Sequence, residues 1–149
     1  CSLQRRDGHG SAERVLSGQG LVDLYRALRE RSGLGGADVS EAAHVTAQAF
    51  DAGDALALQA LTLFSGFLGT VAGDLALTLG ARGGVYLGGG IVPRLGAWFD
   101  QSNFRARFEA KGRFQAYLAP IPCWVINPDA APALYGAARA LDRPQDGGN

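Results

Sequence analysis

The sequence predicts an α/β fold, rich in helix and built on a small parallel sheet. Three observations predict it. Residues 84–87 and 121–126 are short apolar runs with the length and composition of buried strands. Helical stretches separate them, so the strands are expected to run parallel through a right-handed crossover. Residues 54–79 form one long stretch that is apolar nearly all round, which predicts a central, buried helix. Two strands make a thin sheet, and the chain reads as part of something larger.

Composition narrows the possibilities. The chain has 149 residues, 47% of them hydrophobic, enough for one globular core. Its 14 basic and 14 acidic residues cancel. That removes the usual electrostatic reason to expect nucleic acid or an anionic membrane as partner. The densest basic cluster, Arg105, Arg107, Lys111 and Arg113, is interleaved with Glu109 and reads as a solvated helix face. Cys1 and Cys123 make neither a disulfide framework nor a zinc site, which fits a reducing, cytoplasmic setting. No methionine occurs, even at position 1, so processing or truncation ahead of Cys1 is expected. No basic-then-apolar secretory leader is visible.

The elements follow in order. Residues 1–10 are polar and predict an irregular entry. Residues 11–18 predict a short turn of helix and a break, after which Ser17 caps a helix over 21–31. Leu21, Leu24, Tyr25 and Leu28 recur there at helical spacing. Gly33, Gly35 and Gly36 end it. Asp38 and Glu41 have the spacing of a capping box, opening a helix to about residue 52. In the long helix, Leu61, Phe64, Leu68, Val71, Leu75 and Leu79 predict one buried stripe. Residues 55–73 are long enough to span a membrane and carry Gly69 and Gly73 at small-residue spacing. Gln59, Asp54, Asp74 and the lack of a basic flank weigh against that reading. Close packing of small residues against a sheet explains the glycines equally well. Helices are expected over 93–100 and 104–111, the second with Phe104 and Phe108 on one face. A last helix over 131–141 precedes a disordered tail, 143–149.

The stretch LGARGGVYLGGGIVPRL, residues 79–95, organises the rest. A strand runs into Gly88, Gly89 and Gly90, and Pro93 suits the first turn of a helix. Consecutive glycines let a ligand lie on the main chain. Strand, glycine loop and helix start together make a natural place for a nucleotide. The dinucleotide fingerprint fails because Pro93 stands where its last glycine belongs, and the phosphate-loop motif is absent. From the residues alone a tight connection without ligand stays open. His9 and His44 are isolated and read as surface histidines, and Ser17 has no base nearby to make it a nucleophile.

Four segments carry a family resemblance. SAERVLSGQGLVDLYRAL, residues 11–28, resembles the sugar-contacting segment and following helix of bacterial glucokinases. GGVYLGGGIVPR, residues 83–94, looks like their adenosine-side glycine motif. FRARFEAKGRF, residues 104–114, and IPCWVINP, residues 121–128, are similar to segments that follow in the same order. The resemblance implies an incomplete actin-like, ribonuclease H-like large domain over residues 1–142. Residues 131–142 would be the terminal helix, which in the family crosses back toward the small domain.

The resemblance also implies roles. Glu13, which from the residues alone reads as an exposed glutamate in a first helical turn, would accept hydrogen bonds from glucose hydroxyls. Gly88, Gly89 and Gly90 would floor the site for adenine and ribose. Asp74 receives no role. The family's opening phosphate hairpin, its catalytic aspartate, its second phosphate loop and its Glu-Gly-x-His sugar motif have no counterpart here. The chain is therefore expected to hold no catalytic residue and no metal ligand. The intact enzyme would phosphorylate glucose with ATP and Mg²⁺ in the cytoplasm, as a homodimer. The isolated chain would be inactive. A non-catalytic sugar- or nucleotide-binding remnant, or a self-associating one, is the alternative. A zinc-bearing repressor relative ranks last, since only two distant cysteines are present.

Overall fold

The computed structural model describes residues 11–35 and 39–126. The expected irregular entry at 1–10, Asp38 of the capping box, the helix over 131–141 and the tail over 143–149 lie outside the described residues. Helix α1, Ala12–Val15, starts at Ser11, whose side chain accepts from the Arg14 amide. Helix α2, Gly18–Arg31, starts three residues earlier than its apolar spacing suggests. Ser17 caps it as expected, with Oγ accepting from the Gly20 amide at 3.0 Å. The same oxygen donates to the Arg14 carbonyl at 2.8 Å, which fixes α1 to α2. Leu21, Val22, Leu24 and Tyr25 of α2 enter the core. Helix α3, Ala42–Phe50, follows Glu41, whose side chain makes no cap bond.

Helix α4, Ala55–Leu79, is the central element the sequence predicts. Asp54 Oδ1 accepts from the amides of Leu56 at 2.7 Å and Ala57 at 3.2 Å. Gly80, at φ 61°, ends the helix in the left-handed conformation that glycine tolerates. The buried stripe is a partial correction. Leu61 and Phe64 are buried as expected, but Leu75 and Leu79 are exposed. The second half of α4 instead buries Gly66, Gly69, Ala72, Gly73 and Ala76. The reason is a change of partner. The glycines meet helix α7, Phe104–Glu109, rather than the expected sheet. A Cβ on Gly69 would collide with the Phe104 carbonyl, and one on Gly73 with the Phe108 carbonyl. Helix α4 is long and apolar enough to cross a membrane, yet this face of it is committed to protein.

Two basic residues expected on a solvated face instead tie elements together, Lys111 largely covered and Arg105 partly exposed. Lys111 Nζ donates to the Thr70 carbonyl at 3.0 Å and to Asp74 Oδ1 at 2.6 Å, pinning the end of α7 to α4. Arg105 pairs with Glu109 and donates to the carbonyls of Ala119 and Ile121, the latter at 2.7 Å. Arg107 and Arg113 are exposed, as expected.

Strands β1, Val85–Leu87, and β2, Cys123–Val125, pair in parallel with Val85 opposite Cys123 and Leu87 opposite Val125. The Val85 amide donates to the Pro122 carbonyl and the Ile126 amide to the Leu87 carbonyl, both at 2.9 Å. Burial on both faces was expected and is corrected. Leu87 is buried, but Tyr86 and Trp124 are exposed and stack at 4.9 Å on the other face. No described element covers them. The expected helix over 93–100 divides into α5, Val92–Leu95, and α6, Ala97–Asp100. Gly96 separates them at φ 53°, ψ −141°, a conformation closed to residues with a side chain. Pro93 occupies the first turn of α5, where its missing N–H costs nothing. A 3-10 turn, Gly112–Phe114, and helix α8, Gln115–Leu118, lead into β2. Phe104 and Phe108 share the buried face of α7, stacked with centroids 6.1 Å apart.

Candidate functional site

The glycine loop lies in a cleft of about 450 Å³. One wall is the junction of α1 and α2, with Leu16, Ser17 and Gly18. Phe64 and Leu68 of α4 form the base, and residues 86–92 form the other wall. Each wall follows from local chemistry. Ser17 turns the chain between two helices by bonding in both directions. Strand β1 ends at Leu87, and the glycines release the chain before α5.

The three glycines differ in what they require. Gly89 has φ 114°, which only glycine adopts without strain. A Cβ on Gly89 or Gly90 would meet nothing within 4 Å, and one on Gly88 would sit 3.7 Å from Ile126 Cδ1. Internal packing therefore does not explain this run of glycines. It leaves bare backbone along one side of a cleft whose base is apolar. That surface can receive a flat ring against the main chain while amides and carbonyls remain open to polar groups.

Glu13 lies on α1, exposed, and does not line the cleft. Helix α1 ends one residue before Leu16, which does line it. The structure thus brings Gly88, Gly89 and Gly90 against the α1–α2 junction, and places Glu13 on the element that forms this junction. Ser17 Oγ is occupied by Gly20 and Arg14, so it acts as a cap. His44 is exposed on α3. Among the described residues no three His, Cys, Asp or Glu side chains cluster to hold a metal ion. Burial raises the Cys123 thiol above its usual pKa, opposed by the nearby Arg105 guanidinium.

Two features escaped the sequence. The apolar base, Phe64 and Leu68, carries in the sequence only the spacing of a helix stripe. Tyr25 Oη donates to Asp54 Oδ2 at 2.5 Å, with Arg29 3.9 Å from the same carboxylate oxygen. Their separation by 29 residues hid that pair, although an acidic residue just ahead of a long helix was a visible sign of a cap.

Comparison with known proteins agrees with this architecture. The family model described as Glucokinase matches residues 1–144. The chain is 56% identical to the glucokinase of Aromatoleum aromaticum, over 94% of the chain and 42% of that protein. It is 54% identical to the glucokinase of Chromobacterium violaceum, over 91% of the chain and 38% of that protein. A crystal structure of glucokinase from an Antarctic psychrotroph superposes with a TM-score of 0.80 at 36% identity, covering 93% of the chain and 42% of that structure. The fold class is thus helix-rich with a small parallel sheet, and the superposed glucokinase structure shares it. The chain belongs to the glucokinase family. It spans about two fifths of the length of the glucokinases it matches.

Proposed function

We propose that this chain is the large-domain portion of an ATP-dependent glucokinase, in which it contributes the adenosine floor and one glucose contact. The observation that carries the reading is the cleft that sets Gly88, Gly89 and Gly90 against the α1–α2 junction. The bare loop beside an apolar base fits an adenosine group, since any side chain there would occupy the space a ring needs. Mg²⁺ would neutralise charge on the phosphates when bound.

Within the reaction this chain binds and orients. The glycine loop would hold the adenosine end of the nucleotide against its bare backbone. The Glu13 carboxylate accepts hydrogen bonds from glucose hydroxyls, which fixes the ring for in-line attack. The proton of the attacking hydroxyl would go to a carboxylate base, which the family resemblance assigns to no residue of this chain. A homodimeric, cytoplasmic enzyme, with residues 1–142 forming part of one domain, completes the proposal.

The test joins the portion of the Aromatoleum aromaticum glucokinase outside the matched region to this chain. Glucose and Mg·ATP are supplied, and glucose 6-phosphate is measured. Turnover by the chimera and none by the 149-residue chain is expected. A folded but inactive chimera, or turnover by the short chain alone, would overturn the proposal. In the active chimera, Glu13→Ala is expected to raise the glucose KM by roughly tenfold or more, the loss of about one charged hydrogen bond. The ATP KM should stay unchanged, and an equal rise in both would remove Glu13 from the sugar site. Gly89→Ala strains the loop by about 1–3 kcal/mol and is expected to weaken ATP rather than glucose. Isothermal titration with ADP reads this directly; unchanged affinity would mean the loop does not hold the nucleotide.

A further inference from the structure

Leu63, Phe67, Val71, Leu75 and Leu79 recur every fourth residue of α4, a ridge about 24 Å long at 1.5 Å per residue. Val71 is half-buried, and the other four are exposed, from 37% at Leu63 to 76% at Leu79. Soluble monomers rarely leave a continuous apolar strip of this kind in water. A large residue at every fourth position is also the shape that seats into a groove of a neighbouring layer.

We propose that this ridge is the docking face for the portion of the polypeptide that the relatives carry outside the matched region. Two observations select that occupant. The chain accounts for 42% of the Aromatoleum aromaticum protein and 42% of the superposed glucokinase structure, so more than half of such a polypeptide is available to cover it. The sheet also ends abruptly. Strands β1 and β2 pair only with each other among the described residues, and their Tyr86–Trp124 face is open. Parallel strands are normally buried on both faces within larger sheets. One added layer that continues the sheet and lies on the ridge answers both deficits. The opposite face of α4 is already filled by α7, so the ridge is the side left to receive it. The inference rests on the family assignment and the surface, not on catalysis.

Thiol labelling tests it without reference to turnover. Leu75→Cys and Leu79→Cys replace exposed side chains, and the parent chain serves as the blank for its own cysteines. Both sites should react rapidly with a maleimide in the 149-residue chain. In the chimera described above they should react more slowly by roughly tenfold or more, as for groups closed off by folded structure. Glu30→Cys, exposed and off the ridge, should label equally in both. Equal rates at Leu75→Cys and Leu79→Cys in chain and chimera would overturn the proposal. Protection already present in the short chain, rising with its concentration, would overturn it too, because a second copy would then be the occupant.

Discussion

Gly69→Val is expected to lower the melting temperature of the chain by roughly 10 °C. The reason is the identity of the neighbour. A Cβ at residue 69 would run into the Phe104 carbonyl, and its next contact is Arg107 Cβ at 3.1 Å. Main chain in a helix cannot rotate away as a long side chain can. Helix α7 must retreat from α4, taking Phe104 and Phe108 out of contact with the core. Overpacking costs about 1–3 kcal/mol and more where the neighbour is fixed; at about 2–4 °C per kcal/mol for a domain of this size, 3 kcal/mol gives the stated shift. Gly83→Ala is the control, since a Cβ there meets nothing within 4 Å and its backbone carries no positive φ. It should lie within about 0.5 kcal/mol of the parent. A Gly69→Val protein melting within 2 °C or so of the parent, on the same scale, would show that α7 does not depend on this contact.

Asp54→Ala is expected to cost about 2–4 kcal/mol, combining a lost N-cap of about 1 kcal/mol with a stranded buried hydroxyl at about 1–3 kcal/mol. The carboxylate serves both roles. Oδ1 caps α4 through Leu56 and Ala57, and Oδ2 accepts the Tyr25 hydroxyl. Tyr25 is 1% exposed, and its hydroxyl depends on Asp54 as acceptor. Asp54→Asn keeps an acceptor for the cap and should cost about half as much. Titration supplies a second signature. The Tyr25 hydrogen bond, followed by the α4 amides and Arg29, holds the Asp54 carboxyl below its usual pKa against the cost of burial. Burial, followed by the bond to Asp54, pushes the Tyr25 hydroxyl up.

The signs follow from linkage. A depressed carboxyl stabilises the fold fully above its unfolded value of about 3.9 and loses that contribution as pH falls through the folded value. A raised phenol stabilises below about 10 and loses its contribution as pH rises through the folded value. The pair therefore supports the fold from about pH 4 to about pH 10. Chemical denaturation across pH should show an acid limb in the parent that is reduced in Asp54→Ala. An unchanged acid limb would place the linked protons elsewhere.

What was legible in the sequence follows physical range. Helix α4 and its Asp54 start, the Ser17 cap and the two strands are encoded by neighbours within one turn or one strand, and each stands where the spacing put it. Leu75 and Leu79 kept perfect helical spacing yet face outward, because burial is decided by what lies against a helix. The partner of its second half, α7, lies 25 residues downstream of α4's end, beyond any local period. Gly69 and Gly73 were visible as close-packing residues, but nothing local distinguishes a carbonyl of another helix from a sheet. Lys111 and Arg105 sit in a basic run that looks solvated, and several of their acceptors are main-chain carbonyls, which every sequence contains everywhere. At the site, Gly88, Gly89 and Gly90 were conspicuous. Phe64 and Leu68, which complete the cleft, look like any core residues.

Arg105 gives the molecule a drive train. Its guanidinium grips the chain at Ala119 and Ile121, directly ahead of β2, while its own helix is seated on Gly69 and Gly73 of α4. Strand β2 sets the register of β1, and β1 ends in the glycine loop. The height of that loop above the cleft is thus inherited, through one side chain, from the thickness of two hydrogen atoms on a helix that bears no part of the loop. A small error in the seating of α7 would be geared forward to Gly89, so the tolerance of the glycine loop is set far from it.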